Sequence, residues 1–158
     1  MRGSNPNTAT DSAFPETLSN VVYVEDSDDD AAMIELVATQ TGCVDTLERA
    51  HNVETALEIL EVIEAGERDR PSVLLVDINL GDGSGITVVH RARATFSRTA
   101  LPIVVFSGSD SETDVKQAYA AGANLYVVKP MRFREFRRRL VSACRFLAVT
   151  AARPQRHY

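Results

Sequence analysis

Four short apolar segments of this chain end in side chains that could carry out chemistry. Those side chains are Glu25 with Asp26, Asp77, Ser107 and Lys129. Short apolar, β-branched runs predict buried strands, and ligands of open α/β sheets bind at the carboxyl ends of the strands. The sequence therefore predicts three carboxylates, a hydroxyl and a lysine at one edge of a sheet.

Three carboxylates in one cleft repel one another, so this arrangement requires a cation. Oxygen ligation that retains water suits Mg²⁺ better than a transition metal, and the predicted ligands are Glu25, Asp26 and Asp77. Lys129 would offer a point charge to a phosphoryl oxygen, and the Ser107 hydroxyl could hydrogen-bond another. The residue types indicate a cation site combined with phosphoryl transfer.

The elements that position these groups alternate between strand and helix. Apolar runs predict strands at 20–25, 46–50, 72–77, 103–107 and 124–128. Helical spacing predicts helices at 28–40, 52–66, 84–96, 110–122 and 131–149, with Asn52 capping the second and Asp110 or Ser111 the fourth. The alternation predicts an α/β fold in which five helices cover a doubly wound, five-stranded parallel sheet of order 2-1-3-4-5.

Length and composition limit the domain organisation. The 158 residues, 44% of them hydrophobic, suffice for one domain, which we assign to 20–149 between a disordered leader at 1–19 and a tail at 150–158. The leader does not resemble a signal peptide, and no apolar run is long enough to span a membrane. Cys43 and Cys144 lack metal-ligand spacing, which is typical of a reduced, cytoplasmic protein.

Charge is unevenly distributed along the chain. The formal net charge of −5 argues against nucleic acid as a partner, but residues 129–158 hold nine Lys or Arg and one Glu. This basic end is either a solvated helix face with its tail or a docking surface for an acidic partner. We interpret it as solvated, because no other feature of the segment is diagnostic.

In combination, these motifs resemble the receiver domains of two-component response regulators, the CheY-like family. The matching residues are Glu25-Asp26, Asp77, Ser107, Tyr126 and Lys129-Pro130, in the family's order. The resemblance covers about residues 20–148. It implies that Asp77 accepts a phosphoryl group and that Mg²⁺ is the cofactor.

The resemblance also assigns ligands to the metal. It implies that Asp26 and Asp77 bind Mg²⁺ directly, that Glu25 binds it through water, and that a further ligand is the backbone carbonyl of Asn79. The family more often has Asp at the position of Glu25 and proline at the position of Gly81. Glycine there should loosen the loop without removing the site.

The remaining matches imply a phosphoryl-sensing role. Ser107, where threonine is commoner in the family, and Lys129 would hold the phosphoryl group, and Tyr126 would follow Ser107 as a switch. The Lys129–Pro130 peptide bond would be cis, as it is in the family.

The leading hypothesis is a stand-alone receiver that is a signalling domain rather than an enzyme. A sensor histidine kinase, by similarity a bacterial phytochrome, would phosphorylate Asp77. The output would be a contact with a downstream protein or a homodimer, formed through the fourth helix, fifth strand and fifth helix. Alternatively, the chain would be an intermediate in a phosphorelay.

Two alternatives come from other functional classes. A pseudo-receiver would act only as an interaction module, but the complete set of acids, hydroxyl and lysine argues against it. A small aspartate-nucleophile phosphatase would need a second aspartate two residues after Asp77, and that position is Asn79.

Overall fold

Five parallel strands form the sheet that carries the candidate site. The computed structural model describes residues 17–151. Its main strands are β1 (Leu18–Val24), β2 (Val44–Ala50), β3 (Val73–Val76), β4 (Ile103–Ser107) and β5 (Leu125–Val128). They lie in the order β2-β1-β3-β4-β5, and each neighbouring pair is parallel. The predicted fold class and strand order are confirmed.

Five helices connect the strands. They are α1 (Asp28–Thr41), α2 (Val53–Glu64), α3 (Gly85–Arg93), α4 (Glu112–Ala121) and α5 (Phe133–Ala151). The side chains of Ser27, Asn52, Ser84 and Ser111 cap the first four by accepting a hydrogen bond from a backbone N–H of the first turn. Asn52 thus caps α2 as predicted, and of the two candidates for α4 the cap is Ser111.

The helices cover both faces of the sheet. Val22 and Val24 of β1 pack with residues of α2, α3 and α4, whereas Val21 and Tyr23 pack with residues of α1 and α5. This alternation follows from the period of two along a strand. Strands buried on both faces read as nearly continuous apolar runs, which is why 73–76 was recognisable in the sequence.

The first strand begins earlier than the sequence indicated. Leu18 pairs with Val44, its N–H donates to the carbonyl of Cys43 at 2.9 Å, and its side chain is buried. The predicted start of this strand at residue 20 is therefore two residues late, because one apolar side chain among polar neighbours gave too weak a signal. Residues 1–16 of the predicted leader lie outside the described residues.

The chain between β3 and α3 folds as a short hairpin that the sequence did not predict. Asn79–Leu80 pairs antiparallel with Gly83–Ser84. The hairpin carries the chain from the end of β3 directly into α3, which ends at Arg93 rather than at the predicted residue 96.

The last helix continues past its predicted end. α5 reaches Ala151, and most of the predicted tail, residues 152–158, lies outside the described part of the chain. Within residues 17–151, no helix combines the length and apolar character needed to cross a membrane.

Candidate functional site

The register of the sheet brings the predicted site residues together. Val24 of β1 lies beside Val76 of β3, so Glu25 and Asp77 leave adjacent strands at the same level. Across the sheet, the N–H of Lys129 donates to the carbonyl of Ser107 at 2.8 Å. Parallel strands align their carboxyl ends, so residues far apart in sequence meet at one edge.

The Lys129 ammonium group lies at the centre of the site. It contacts carboxylate oxygens of Glu25 at 2.5 Å, Asp30 at 2.8 Å and Asp77 at 2.9 Å, and its side chain is only 6% exposed. Burial alone would lower the lysine pKa, but the carboxylates, Asp77 foremost, outweigh burial and raise it above its usual range. Lys129 is therefore a permanent positive charge.

The peptide bond after this lysine is trans. No cis peptide bond occurs among residues 17–151, so the prediction that Lys129–Pro130 is cis is wrong for this structure. Trans is the lower-energy form of an X-Pro bond by about 0.5–1 kcal/mol, and the trans turn already delivers the ammonium group to all three carboxylates.

Glu25 is the most deeply buried of these acids. Burial, with a smaller contribution from the Asp77 charge, raises the pKa of Glu25 to about 7, although Lys129 and a hydrogen bond from the N–H of Ser27 act in the opposite direction. One lysine cannot neutralise three carboxylates, so part of the charge is relieved by a proton on Glu25 near neutral pH.

This burial predicts how stability depends on pH. In a chelating buffer we expect the Glu25 contribution to the free energy of unfolding to fall as pH rises from about 4.5 to about 7. In that window the folded protein keeps the Glu25 proton and the unfolded chain loses it, so the folded state binds more protons. Urea unfolding of the parent protein and of Glu25→Gln across this range measures the effect. Equal pH slopes for the two proteins would contradict it.

Three carboxylates form a cluster suited to a cation. Ligand oxygens of Glu25, Asp26 and Asp77 lie within 4.8 Å of one another. The Asp77 Oδ1 atom is buried and accepts no hydrogen bond, which is costly for a carboxylate oxygen unless a cation supplies the missing partner. The residues present therefore fit a hard divalent cation with oxygen ligands.

An open cleft of about 400 Å³ lies over Asp77. Its lining includes Asp30, Asp77, Asn79, Ser109 and Lys129. The cleft has room for a group the size of a phosphate beside the side chains of Asp77 and Lys129. Asn79 also lines this cleft, and the metal-ligand role of its backbone carbonyl stays a prediction.

Ser107 and Tyr126 meet at the end of β4. Ser107 is fully buried, and its hydroxyl oxygen accepts a hydrogen bond from the N–H of Ser109 at 3.3 Å. The Tyr126 hydroxyl donates to the carbonyl of Ser109 at 2.7 Å, and its ring packs against the core on the α2–α4 face. The two residues predicted to form the switch thus share Ser109 as a partner, and their switching role stays a prediction.

Two site residues escaped the sequence reasoning. Asp30 lies in the first turn of α1 and is not among the predicted site residues, yet its carboxylate contacts Lys129. Gly85 begins α3, and a Cβ atom there would lie 1.9 Å from the carbonyl oxygen of Asp77. The glycine-rich run after Asp77 is a local sequence feature that points to Gly85. The contact of Asp30 has no such local feature, because it depends on where the side chain of Lys129 lies.

Known proteins resemble this chain in sequence. A chemotaxis protein CheY homolog of Campylobacter jejuni is 30% identical over 110 residues, which cover 70% of this chain and 80% of that protein. Transcriptional regulators that the chain also matches are longer, and it spans about two fifths of their length.

Solved structures show the same fold. The phosphorylated cyanobacterial phytochrome response regulator RcpA superimposes with a TM-score of 0.72 at 21% identity, covering 89% of this chain and 99% of RcpA. The Mn²⁺-bound response regulator Rcp1 gives 0.71 at 24% identity, covering 85% and 99%. The family model described as the response regulator receiver domain matches residues 21–141. The chain therefore belongs to the response regulator receiver domain family of two-component signalling.

Proposed function

We propose that this receiver accepts a phosphoryl group on Asp77 from the phosphohistidine of a sensor kinase, with Mg²⁺ as the cofactor. The observation that carries the proposal is that the two carboxylate oxygens of Asp77 have different surroundings. Oδ2 contacts Lys129 at 2.9 Å, whereas Oδ1 is buried and has no hydrogen-bond donor. Asp77 is also a member of the carboxylate cluster. The Asp77 carboxylate thus lies next to the fixed positive charge of Lys129 and next to a site that suits a cation.

The transfer itself needs few steps from the protein. An Asp77 carboxylate oxygen attacks phosphorus, and the bond from phosphorus to the histidine nitrogen breaks. The electron pair of that bond stays on the nitrogen, and the imidazole leaves as the neutral ring, which carries a proton already on its other nitrogen or takes one from water. Bound Mg²⁺, held by Glu25, Asp26, Asp77 and the Asn79 carbonyl, would offset charge on the phosphoryl oxygens. Lys129 pairs with another phosphoryl oxygen and orients it.

The signal would leave the site through Ser107 and Tyr126. Phosphoryl oxygens draw the Ser107 hydroxyl toward Asp77, which alters the loop at Ser109 that both side chains contact. Tyr126 then changes its packing on the surface formed by α4, β5 and α5. A downstream protein or a second copy of the chain reads that surface, which makes the domain a signalling module rather than an enzyme.

We infer the setting from the relatives and from the cysteines. RcpA is a phosphorylated cyanobacterial phytochrome response regulator, which supports a bacterial phytochrome kinase as the donor. Rcp1 is a response regulator in a Mn²⁺-bound form, which supports a divalent cation as the cofactor. Cys43 and Cys144 are both buried free thiols, which supports a cytoplasmic location.

Replacing Asp77 with asparagine tests the acceptor. With Mg²⁺ and a small phosphodonor such as acetyl phosphate, we expect the parent protein to form an adduct that hydroxylamine removes, and Asp77→Asn to form none, because an amide is not a nucleophile for phosphorus. Intact-mass spectrometry measures the adduct.

The exposed Asp69 provides a matched control, since Asp69→Asn changes the charge equally but lies in the connection before β3. It should be labelled like the parent protein. An unlabelled parent protein would favour the pseudo-receiver, and rapid turnover of many phosphoesters would favour a phosphatase.

A further inference from the structure

Asp30 contributes a fourth carboxylate to the site. It lies in the first turn of α1, where Ser27 caps its backbone N–H, and its side chain is about one-third exposed. Its Oδ2 atom lies 2.8 Å from the Lys129 ammonium nitrogen, and it lines the cleft over Asp77. Its carboxylate oxygens are not part of the cation cluster, which consists of Glu25, Asp26 and Asp77.

The contact matters because a lysine has only three N–H donors. Glu25, Asp30 and Asp77 each accept one of them here. A phosphoryl oxygen bound at Asp77 needs one of these N–H donors, so one of the three carboxylates must lose its hydrogen bond from Lys129.

The three carboxylates differ in what would release them from the lysine. Glu25 and Asp77 belong to the cation cluster, so a bound cation competes with Lys129 for their oxygens. Asp30 lies outside the cluster, so its attraction for the ammonium group persists when the cation is bound. It is the carboxylate that continues to compete with the phosphoryl group.

We propose that Asp30 is a positioning residue that holds Lys129 as a counter-ion and thereby slows phosphoryl transfer to Asp77, while its charge strengthens divalent-cation binding. The inference rests on the proposed phosphoryl acceptance by Asp77. Asp30 touches neither the acceptor nor the metal cluster in the structure, and it acts through the lysine and through its own field.

The sign of each effect follows from charge. Removing one negative charge near the cleft reduces repulsion of an incoming phosphoryl dianion and leaves Lys129 freer to pair with it. The same change reduces attraction for a dication. For unit charges several ångströms apart at a partly exposed site, each effect corresponds to a change of about three- to tenfold.

The experiment compares Asp30→Asn with Asp29→Asn. Asp29 occupies the same helical turn and is exposed, so its substitution changes the net charge and the helix N-terminus equally. Calorimetric titration with Mg²⁺ gives the affinity, and labelling with acetyl phosphate at Mg²⁺ concentrations that saturate each variant gives the transfer rate. Compared with Asp29→Asn, Asp30→Asn should bind Mg²⁺ about three- to tenfold more weakly and be labelled about three- to tenfold faster.

The opposite signs separate this role from a structural one, because a damaged fold would lose both properties. Asp30→Glu, which keeps the charge, should move both values back toward those of the parent protein. Asp30→Asn labelled at the Asp29→Asn rate, or more slowly, would overturn the inference. If the parent protein itself takes no label, the proposed function fails first, and the inference falls with it.

Discussion

Replacing Lys129 with methionine is expected to lower the free energy of unfolding by about 3–5 kcal/mol in a chelating buffer, because truncating one partner of a buried ion pair leaves its counter-charges unpaired. Three carboxylates contact this ammonium group, and two of them, Glu25 and Asp77, are nearly inaccessible to solvent. The loss should be larger at about pH 8 than at about pH 6, since Glu25 can take up a proton at the lower pH. Urea unfolding at the two pH values measures it.

Added Mg²⁺ should partly restore the stability of Lys129→Met, because a dication can neutralise the carboxylates that the lysine leaves behind. The control is Lys116→Met, which removes an exposed i,i+4 pair with Glu112 on α4. That change should cost about 0.5 kcal/mol or less. If the two substitutions cost the same, the central role of Lys129 in holding the site together would be refuted.

The second large effect is expected at the start of α3. Gly85→Ala should destabilise the protein by about 3 kcal/mol or more. An oversized core side chain usually costs about 1–3 kcal/mol, and here the clash is with backbone, which is harder to relieve. A Cβ atom at Gly85 would lie 1.9 Å from the carbonyl oxygen of Asp77 and 2.7 Å from a methyl carbon of Val76. No rotamer change moves a backbone carbonyl, so α3 or the end of β3 must shift.

Because the displaced carbonyl belongs to Asp77, acceptance of phosphoryl groups should fall together with stability. Gly108→Ala is the matched control, since a Cβ atom there has no neighbour within 4 Å even though the residue lies next to Ser107. Thermal unfolding and acetyl phosphate labelling of both variants compare the two positions. A Gly85→Ala melting temperature close to that of Gly108→Ala would show that the close approach is not constraining.

The sheet and most of the site follow from local features of the sequence. The run 73–76 is buried on both faces, so it had to be apolar throughout, and the first polar residue after it marks where the strand leaves the core. Ser107 and Lys129 are recognisable in the same way, because each ends an apolar run. Boundaries were less accurate where the burial signal was weak, as at Leu18, which the sheet includes by pairing it with Val44.

The sequence by itself determined which residues lie at the carboxyl edge of the sheet, because burial and strand period are encoded in neighbouring residues and parallel pairing aligns the strand ends. Only the tertiary structure decided which carboxylates reach the lysine. Asp30 and Lys129 are 99 positions apart, and their contact depends on how α1 and the turn after β5 are placed on the sheet. The trans peptide at Pro130 and the close approach of Gly85 to Asp77 depend on the same packing. Such contacts are long-range geometry, and no local pattern of residue types encodes them.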